Sequence, residues 1–267
     1  MNKRNKITIT QLKKMQQAGE KIVALTAYDA SFTQVIDQQG MDIILVGDSL
    51  GMVIQGHDTT VPVSIDDMVY HSKAVARKIE SALLMVDLPF MSYTSPEIAL
   101  HNAARLMQEG GAEMVKLEGG APQIETVRQL SHHGVPVCAH LGLTPQSVYK
   151  LGGYRVQGRD QSTAQQMLID ACDLQEAGAD ALILECIPPF LAHEITLALD
   201  IPTIGIGASV DCAGQILVLH DLIGLTEKPP KFSANFLSEA NSIAEAVSHY
   251  ITAVKNADFP QPKHCFL

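Results

Sequence analysis

No apolar run in the 267 residues reaches membrane-spanning length, and the N-terminus, MNKRNKITIT, has no apolar segment of the signal-peptide kind. Neither membrane insertion nor secretion is expected, which points to a cytoplasmic protein. Basic residues are scarce: 19 Lys and Arg stand against 29 Asp and Glu, a formal net charge of −10. That balance argues against nucleic acid or an anionic membrane as partner. A small anionic substrate remains compatible, because a bound cation and a lysine can reverse the local field. The five cysteines (Cys138, Cys172, Cys186, Cys212, Cys265) form no C-x-x-C pair, and Cys138 and Cys186 fall inside apolar runs. Reduced thiols acting as small hydrophobes are expected. With no H-E-x-x-H and scattered cysteines, zinc is a poor fit. No G-x-G-x-x-G follows the first strand-like run, which weakens an open, doubly wound dinucleotide fold.

What the chain does contain is a repeating alternation. Short apolar runs of the buried parallel-strand type occur at 21–30, 43–46, 82–90, 114–120, 135–146, 181–189, 202–209 and 216–224. Helical patterns separate most of them. One opens with Ser95 as cap and Pro96 at its first position, and an N-terminal helix follows Thr8. Three helix-to-strand joints repeat one device, glycine to end the helix and an acid before the strand: Gly40-Met41-Asp42, Gly110-Gly111-Ala112-Glu113 and Gly178-Ala179-Asp180. Eight such units in this length predict a single (β/α)₈ TIM barrel over 1–267. The N-terminal helix precedes the barrel. A last helix from about Ser238 to Lys255 and a loose tail, DFPQPKHCFL, follow it.

In a barrel the C-terminal strand ends share one mouth, and polar residues there are the site candidates. They are Asp29, Asp48 with Ser49, Asp87, Lys116 with Glu118, His140 and Glu185. Any one acid among them could be a helix cap or a surface charge. Several acids converging with one lysine require a neutraliser, since unpaired carboxylates repel. An all-oxygen set of Asp48, Asp87 and Glu118 suits Mg²⁺, which keeps waters and shares its sphere with substrate oxygens. A cation and a lysine facing a carboxylate base form a constellation for a 2-oxo acid. The metal polarises the carbonyl, lysine stabilises the developing enolate oxygen, and Glu185 or His140 removes the neighbouring proton. GIGAS (205–209) reads as barrel packing in preference to a phosphate cradle, and His132-His133 as exposed.

Several motifs together carry a resemblance: TAYD at 26–29, LVGDSLGM at 45–52, QGHDTTVPV at 55–63, DLPFMSY at 87–93, VKLEGG at 115–120, HLGLTPQSV at 140–148, GGYRVQGR at 152–159 and LECIP at 184–188. From about residue 8 to the C-terminus the chain resembles the ketopantoate hydroxymethyltransferase family. The resemblance implies a barrel of the phosphoenolpyruvate/pyruvate type and a large homo-oligomer, a homodecamer. It also implies a reaction: 5,10-methylenetetrahydrofolate gives a hydroxymethyl group to 2-oxoisovalerate through a Mg²⁺-stabilised enolate. The product is 2-dehydropantoate, of pantothenate biosynthesis. By motif, Asp48, Asp87 and Glu118 match the metal positions. Asp48, Ser49, Asp87 and Lys116 match substrate contacts, and Glu185 the catalytic acid/base.

One stretch departs from the family pattern: Ser209 stands where glycine is usual, and Ala213 where an aspartate precedes the Gly-Gln pair. The loop follows the seventh strand, so it is expected at the mouth, where it would bear on folate affinity or loop closure. Two other readings compete with the transferase. A related barrel lyase would use the same metal and enolate without folate. A non-catalytic scaffold would have to retain costly clustered charges for no purpose.

Overall fold

Each of the eight strands pairs parallel with the next, and the last returns to the first. The computed structural model describes residues 4–266, so the expected domain of 1–267 extends beyond it at 1–3 and 267. The strands are β1 (Ile22–Thr26), β2 (Ile43–Val46), β3 (Leu83–Asp87), β4 (Met114–Glu118), β5 (Val137–Gly142), β6 (Ala181–Glu185), β7 (Thr203–Ile206) and β8 (Gly214–Leu217), closed in that order. Closure excludes the open-sheet alternative. Nearly every strand residue is buried, because side chains fill the barrel on one face and meet helices on the other. The caps fall as the sequence predicts. Thr8 closes a capping box on Ile9–Gln17, and Ser95 caps Pro96–Gln108.

The base of the barrel is held by a repeated acid-to-backbone bond. Asp42 accepts the Val23 N–H, Glu113 the Leu84 N–H and Asp180 the Val137 N–H, at 2.9, 2.9 and 3.3 Å. Each acid thus ties the start of an even strand to the odd strand before it. The N-terminal segment supplies their cations: Arg4 to Asp42, Lys6 to Glu113 (2.7 Å) and Lys13 to Asp180 (3.2 Å). Leu12 and Met15 of the N-terminal helix are buried beneath. This segment closes the bottom, leaving the C-terminal strand ends as the open face.

Three boundaries differ from the sequence reading. β8 is Gly214–Leu217 and turns at once into a short helix, Leu219–Leu222, so LHDL is not strand. The Thr26 hydroxyl accepts the Leu219 N–H at 2.9 Å, holding the new helix against β1. The last long helix runs Ile243–Lys255 behind a Ser242 cap, and a separate turn occupies Phe236–Glu239. The C-terminal tail is packed, not loose. Phe259, His264 and Cys265 are buried, and Lys231 Nζ donates to the Cys265 carbonyl at 2.6 Å. Among the described residues all five cysteines are free, with Cys138 and Cys186 buried. No described helix is long and apolar enough to cross a membrane.

Candidate active site

The open face leads into a cavity of about 490 Å³, whose lining includes Asp48, Ser49, Asp87, Lys116, Glu118, His140 and Glu185. The strand ends therefore deliver seven of the eight candidate residues to one place. Asp29 is the exception. Its carboxylate accepts the Ser31 and Phe32 N–H groups and caps the helix Ala30–Gln38, so it is a helix cap.

Lys116 is the pivot. Residues two apart on a strand share a face, and Lys116 and Glu118 both point inward from β4. Lys116 Nζ lies 2.8 Å from Asp87 Oδ1 and 4.0 Å from Glu118 Oε1, with all three side chains buried. Burial works against the ammonium, but Asp87, Glu118 and Asp48 outweigh it and hold Lys116 protonated, well above its usual range. Asp48 is pushed the other way. Burial, then Asp87 and Glu118, raise its carboxyl well above the ordinary range, against Lys116 and a Gln146 hydrogen bond. Its backbone N–H donates to Asp87 Oδ2 at 3.0 Å, which brings the β2 and β3 ends together.

His140, level with Glu118 in the β4–β5 register, stands between two carboxylates. Its Nδ1 is 3.6 Å from Glu118 Oε1 and its Nε2 3.3 Å from Glu185 Oε2. Burial and Lys116 oppose the imidazolium, yet Glu118 and Glu185 prevail and the pKa is pushed up to about 9. Glu185 ends β6 with its side chain 13% exposed, the most open of this set of acids. Gly142 makes its approach possible: a Cβ there would stand 2.1 Å from the Glu185 carbonyl.

Sequence reasoning missed several groups that complete the site. Buried Gln146 donates from Nε2 to Asp48 Oδ2 and to the Leu88 carbonyl, both at 2.9 Å, and from its backbone N–H to Glu118 Oε2 at 3.1 Å. The Tyr93 hydroxyl donates to its Oε1. Side chain and backbone of this one residue set two of the acids in place. Its signal lay inside the HLGLTPQSV motif, but nothing local marks the glutamine as inward-facing. Tyr28 lies 2.8 Å from Ser49 Oγ, and burial raises its phenol, keeping it protonated.

The donor set of Asp48, Asp87 and Glu118 fits a hard cation on two observations. The Asp48 carboxyl is destabilised by its two acidic neighbours, and Asp87 Oδ1 meets no polar group of the chain, among the described residues, beyond its ion pair with Lys116. Among the described residues no group of three or more His, Cys, Asp or Glu is gathered closely enough to hold a metal ion by itself. A cation held by these acids would need water and substrate oxygens to fill its sphere.

The expected role of Ser209 and Ala213 is corrected. Ala213 lies at the barrel base, where its carbonyl accepts the Ile22 N–H and its N–H meets Thr203 Oγ1 at 3.2 Å. Ser209 turns to Asp211 at 3.0 Å, and neither residue lines the cavity. Seven residues join β7 to β8, so the connection runs directly down the barrel wall. The packing reading of GIGAS agrees with the geometry: a Cβ at Gly207, whose φ is +61°, would meet Phe232 at 2.9 Å. His132 and His133 are exposed, as expected.

Comparison with known proteins is consistent with this geometry. The family model described as ketopantoate hydroxymethyltransferase matches residues 6–262. The chain is 53% identical over 260 residues to 3-methyl-2-oxobutanoate hydroxymethyltransferase of Halorhodospira halophila, covering 97% of this chain and 94% of the relative. It is 56% identical over 264 residues to the protein of the same name from Alkalilimnicola ehrlichii, covering 98% and 95%. Among solved structures, phosphonopyruvate hydrolase superposes with a TM-score of 0.62 at 13% identity, covering 82% of this chain and 84% of that one. A 2,3-dimethylmalate lyase, described as a PEP mutase/isocitrate lyase superfamily member, gives 0.58 at 15% identity, covering 79% and 78%. At such identities these two likenesses concern the barrel alone.

Proposed function

This chain belongs to the ketopantoate hydroxymethyltransferase family, a family of transferases, and from that premise we propose its chemistry: transfer of a hydroxymethyl group from 5,10-methylenetetrahydrofolate to 2-oxoisovalerate, giving 2-dehydropantoate for pantothenate synthesis. The observation that carries this reading is the buried lysine among acids, facing a more open carboxylate across one cavity.

Asp48, Asp87 and Glu118 would hold Mg²⁺, which when bound supplies Lewis-acid polarisation of the 2-oxo group. Lys116 holds positive charge where the enolate oxygen develops, and Asp87 at 2.8 Å keeps it there. Ser49, braced by Tyr28, donates to the keto acid's carboxylate side. Glu185 removes the C3 proton. His140 is the poorer base, because an imidazolium between two carboxylates has no free lone pair to receive it. Its charge instead orients Glu185 and Glu118. The C3 carbanion then bonds to the one-carbon unit as the first of its two folate nitrogens leaves, and water displaces the second nitrogen and supplies the hydroxyl oxygen. The proton from C3 and one from water end on the two nitrogens, so tetrahydrofolate is released. The same reading extends to a cytoplasmic homodecamer, whose mass light scattering would measure.

The test combines enzyme, Mg²⁺, 2-oxoisovalerate and 5,10-methylenetetrahydrofolate, with 2-dehydropantoate followed by NMR. Product should require all three additions. Carbon–carbon cleavage of a 2-oxo acid without folate would replace this reading with the lyase.

A further inference from the structure

The cavity contains one carboxylate that the chemistry above does not use. Asp221 lies on the short helix after β8, only 6% exposed, and lines the cavity together with Ile206, Ile216, Phe232, Lys228 and Lys231. Its one side-chain hydrogen bond among the described residues is local: the Thr226 hydroxyl donates to Oδ1 at 2.5 Å. No cation pairs with it among the described residues, and burial raises its carboxyl. A buried carboxylate is costly unless something donates to it. The strand ring puts β8 diametrically across from β4, so Asp221 faces the Lys116–Glu118 cluster from the far side of the mouth.

We propose that Asp221 receives the 2-amino-4-oxopyrimidine edge of the reduced pterin ring, and so positions the one-carbon donor over the keto acid. This rests on the folate reading stated above. The keto acid has no N–H group to offer, and as an anion it is repelled by a carboxylate. A reduced pterin presents a ring N–H and an amino N–H side by side. One carboxylate accepts both in parallel, the strongest arrangement of neutral donors on a charged acceptor. Oδ1 has lone-pair capacity beyond the Thr226 bond, and Oδ2 takes no hydrogen bond from the chain among the described residues. The apolar side chains that line the same cavity suit the flat faces of the ring, and a cavity of about 490 Å³ is within the range that such ligands fill. Approach from the β8 side directs the folate nitrogens toward the cavity centre, where the C3 carbon of a keto acid held by Lys116 would stand.

The experiment compares wild type and Asp221→Asn for the KM of each substrate, with thermal melting as a check of folding. The donor KM should rise roughly 10–100-fold, the loss expected for hydrogen bonds to a charged group, and the keto-acid KM by much less. A second arm uses 2-desaminotetrahydrofolate, measured by calorimetry against tetrahydrofolate. Wild type should discriminate against the desamino compound, and Asp221→Asn should lose most of that discrimination. This arm remains decisive on wild type alone if the variant does not fold. Equal binding of the two folates by wild type, or an unchanged donor KM in Asp221→Asn, overturns the assignment while leaving folate as donor. Wild type that ignores folate altogether fails the underlying reading, and Asp221 with it.

Discussion

His140 Nε2 lies 3.3 Å from Glu185 Oε2, so the two residues that compete for the role of base sit within one charge pair. The imidazole also faces Glu118, and with its pKa pushed up to about 9 it carries a proton at neutral pH. Which member takes the C3 proton is therefore open to a direct measurement.

In deuterated water, enzyme with Mg²⁺ and 2-oxoisovalerate should exchange the C3 proton without any folate. Glu185→Gln should slow that exchange by roughly 10²–10⁴-fold, the usual contribution of a positioned base. His140→Gln should slow it less, through disordered Glu185. Proton NMR of the keto acid reads both. Wild-type exchange in Glu185→Gln would move its role to the folate half, and a larger loss in His140→Gln would make the histidine the base.

The raised pKa of His140 has a stability consequence with a definite sign. Its folded value, about 9, lies above the ordinary 6.5. Its stabilising contribution is therefore complete below about pH 6.5 and is lost as pH rises through about 9, at most about 3 kcal/mol in all. The urea midpoint of metal-free protein should fall across that interval, and His140→Gln should flatten the fall. A midpoint that rises with pH in wild type and not in the variant would reverse the charge assignment.

Asp87→Asn should weaken Mg²⁺ binding at least tenfold, the order seen when a group orienting or holding a metal is removed. The same substitution removes the counter-charge 2.8 Å from Lys116 Nζ. Titration calorimetry with Mg²⁺ checks the first effect, and unchanged affinity would exclude Asp87 from the metal.

Ala213→Asp should stabilise the fold without altering either KM. In the register, Thr203 pairs with Ala213 as Val23 does with Asp42, Leu84 with Glu113 and Val137 with Asp180. Alanine leaves this fourth position without an acid, and Lys21 Nζ already reaches the neighbouring Val210 and Cys212 carbonyls at 2.7 Å. A new acid-to-backbone bond should add about 1 kcal/mol. Denaturant midpoints read this, and an altered donor KM would instead return the position to the mouth.

Strand and helix alternation, the Thr8 and Ser95 caps and the acid-bearing strand ends were all legible in the chain, because periodicity and capping are local properties. From eight such units a barrel follows, and with it the gathering of Asp48, Asp87, Lys116, Glu118, His140 and Glu185. What local pattern could not decide is which polar group turns inward and at which end. Asp29 has the look of a site acid, yet the nearest unsatisfied N–H groups belong to its own helix. Ala213 follows a mouth residue by only seven positions, yet the chain has already crossed to the base. Gln146 reaches Asp48 from 98 residues away, and Asp221 meets the cavity only because β8 closes on β1. Those placements depend on ring closure, which brings remote groups within hydrogen-bonding distance and leaves no trace in the residues on either side.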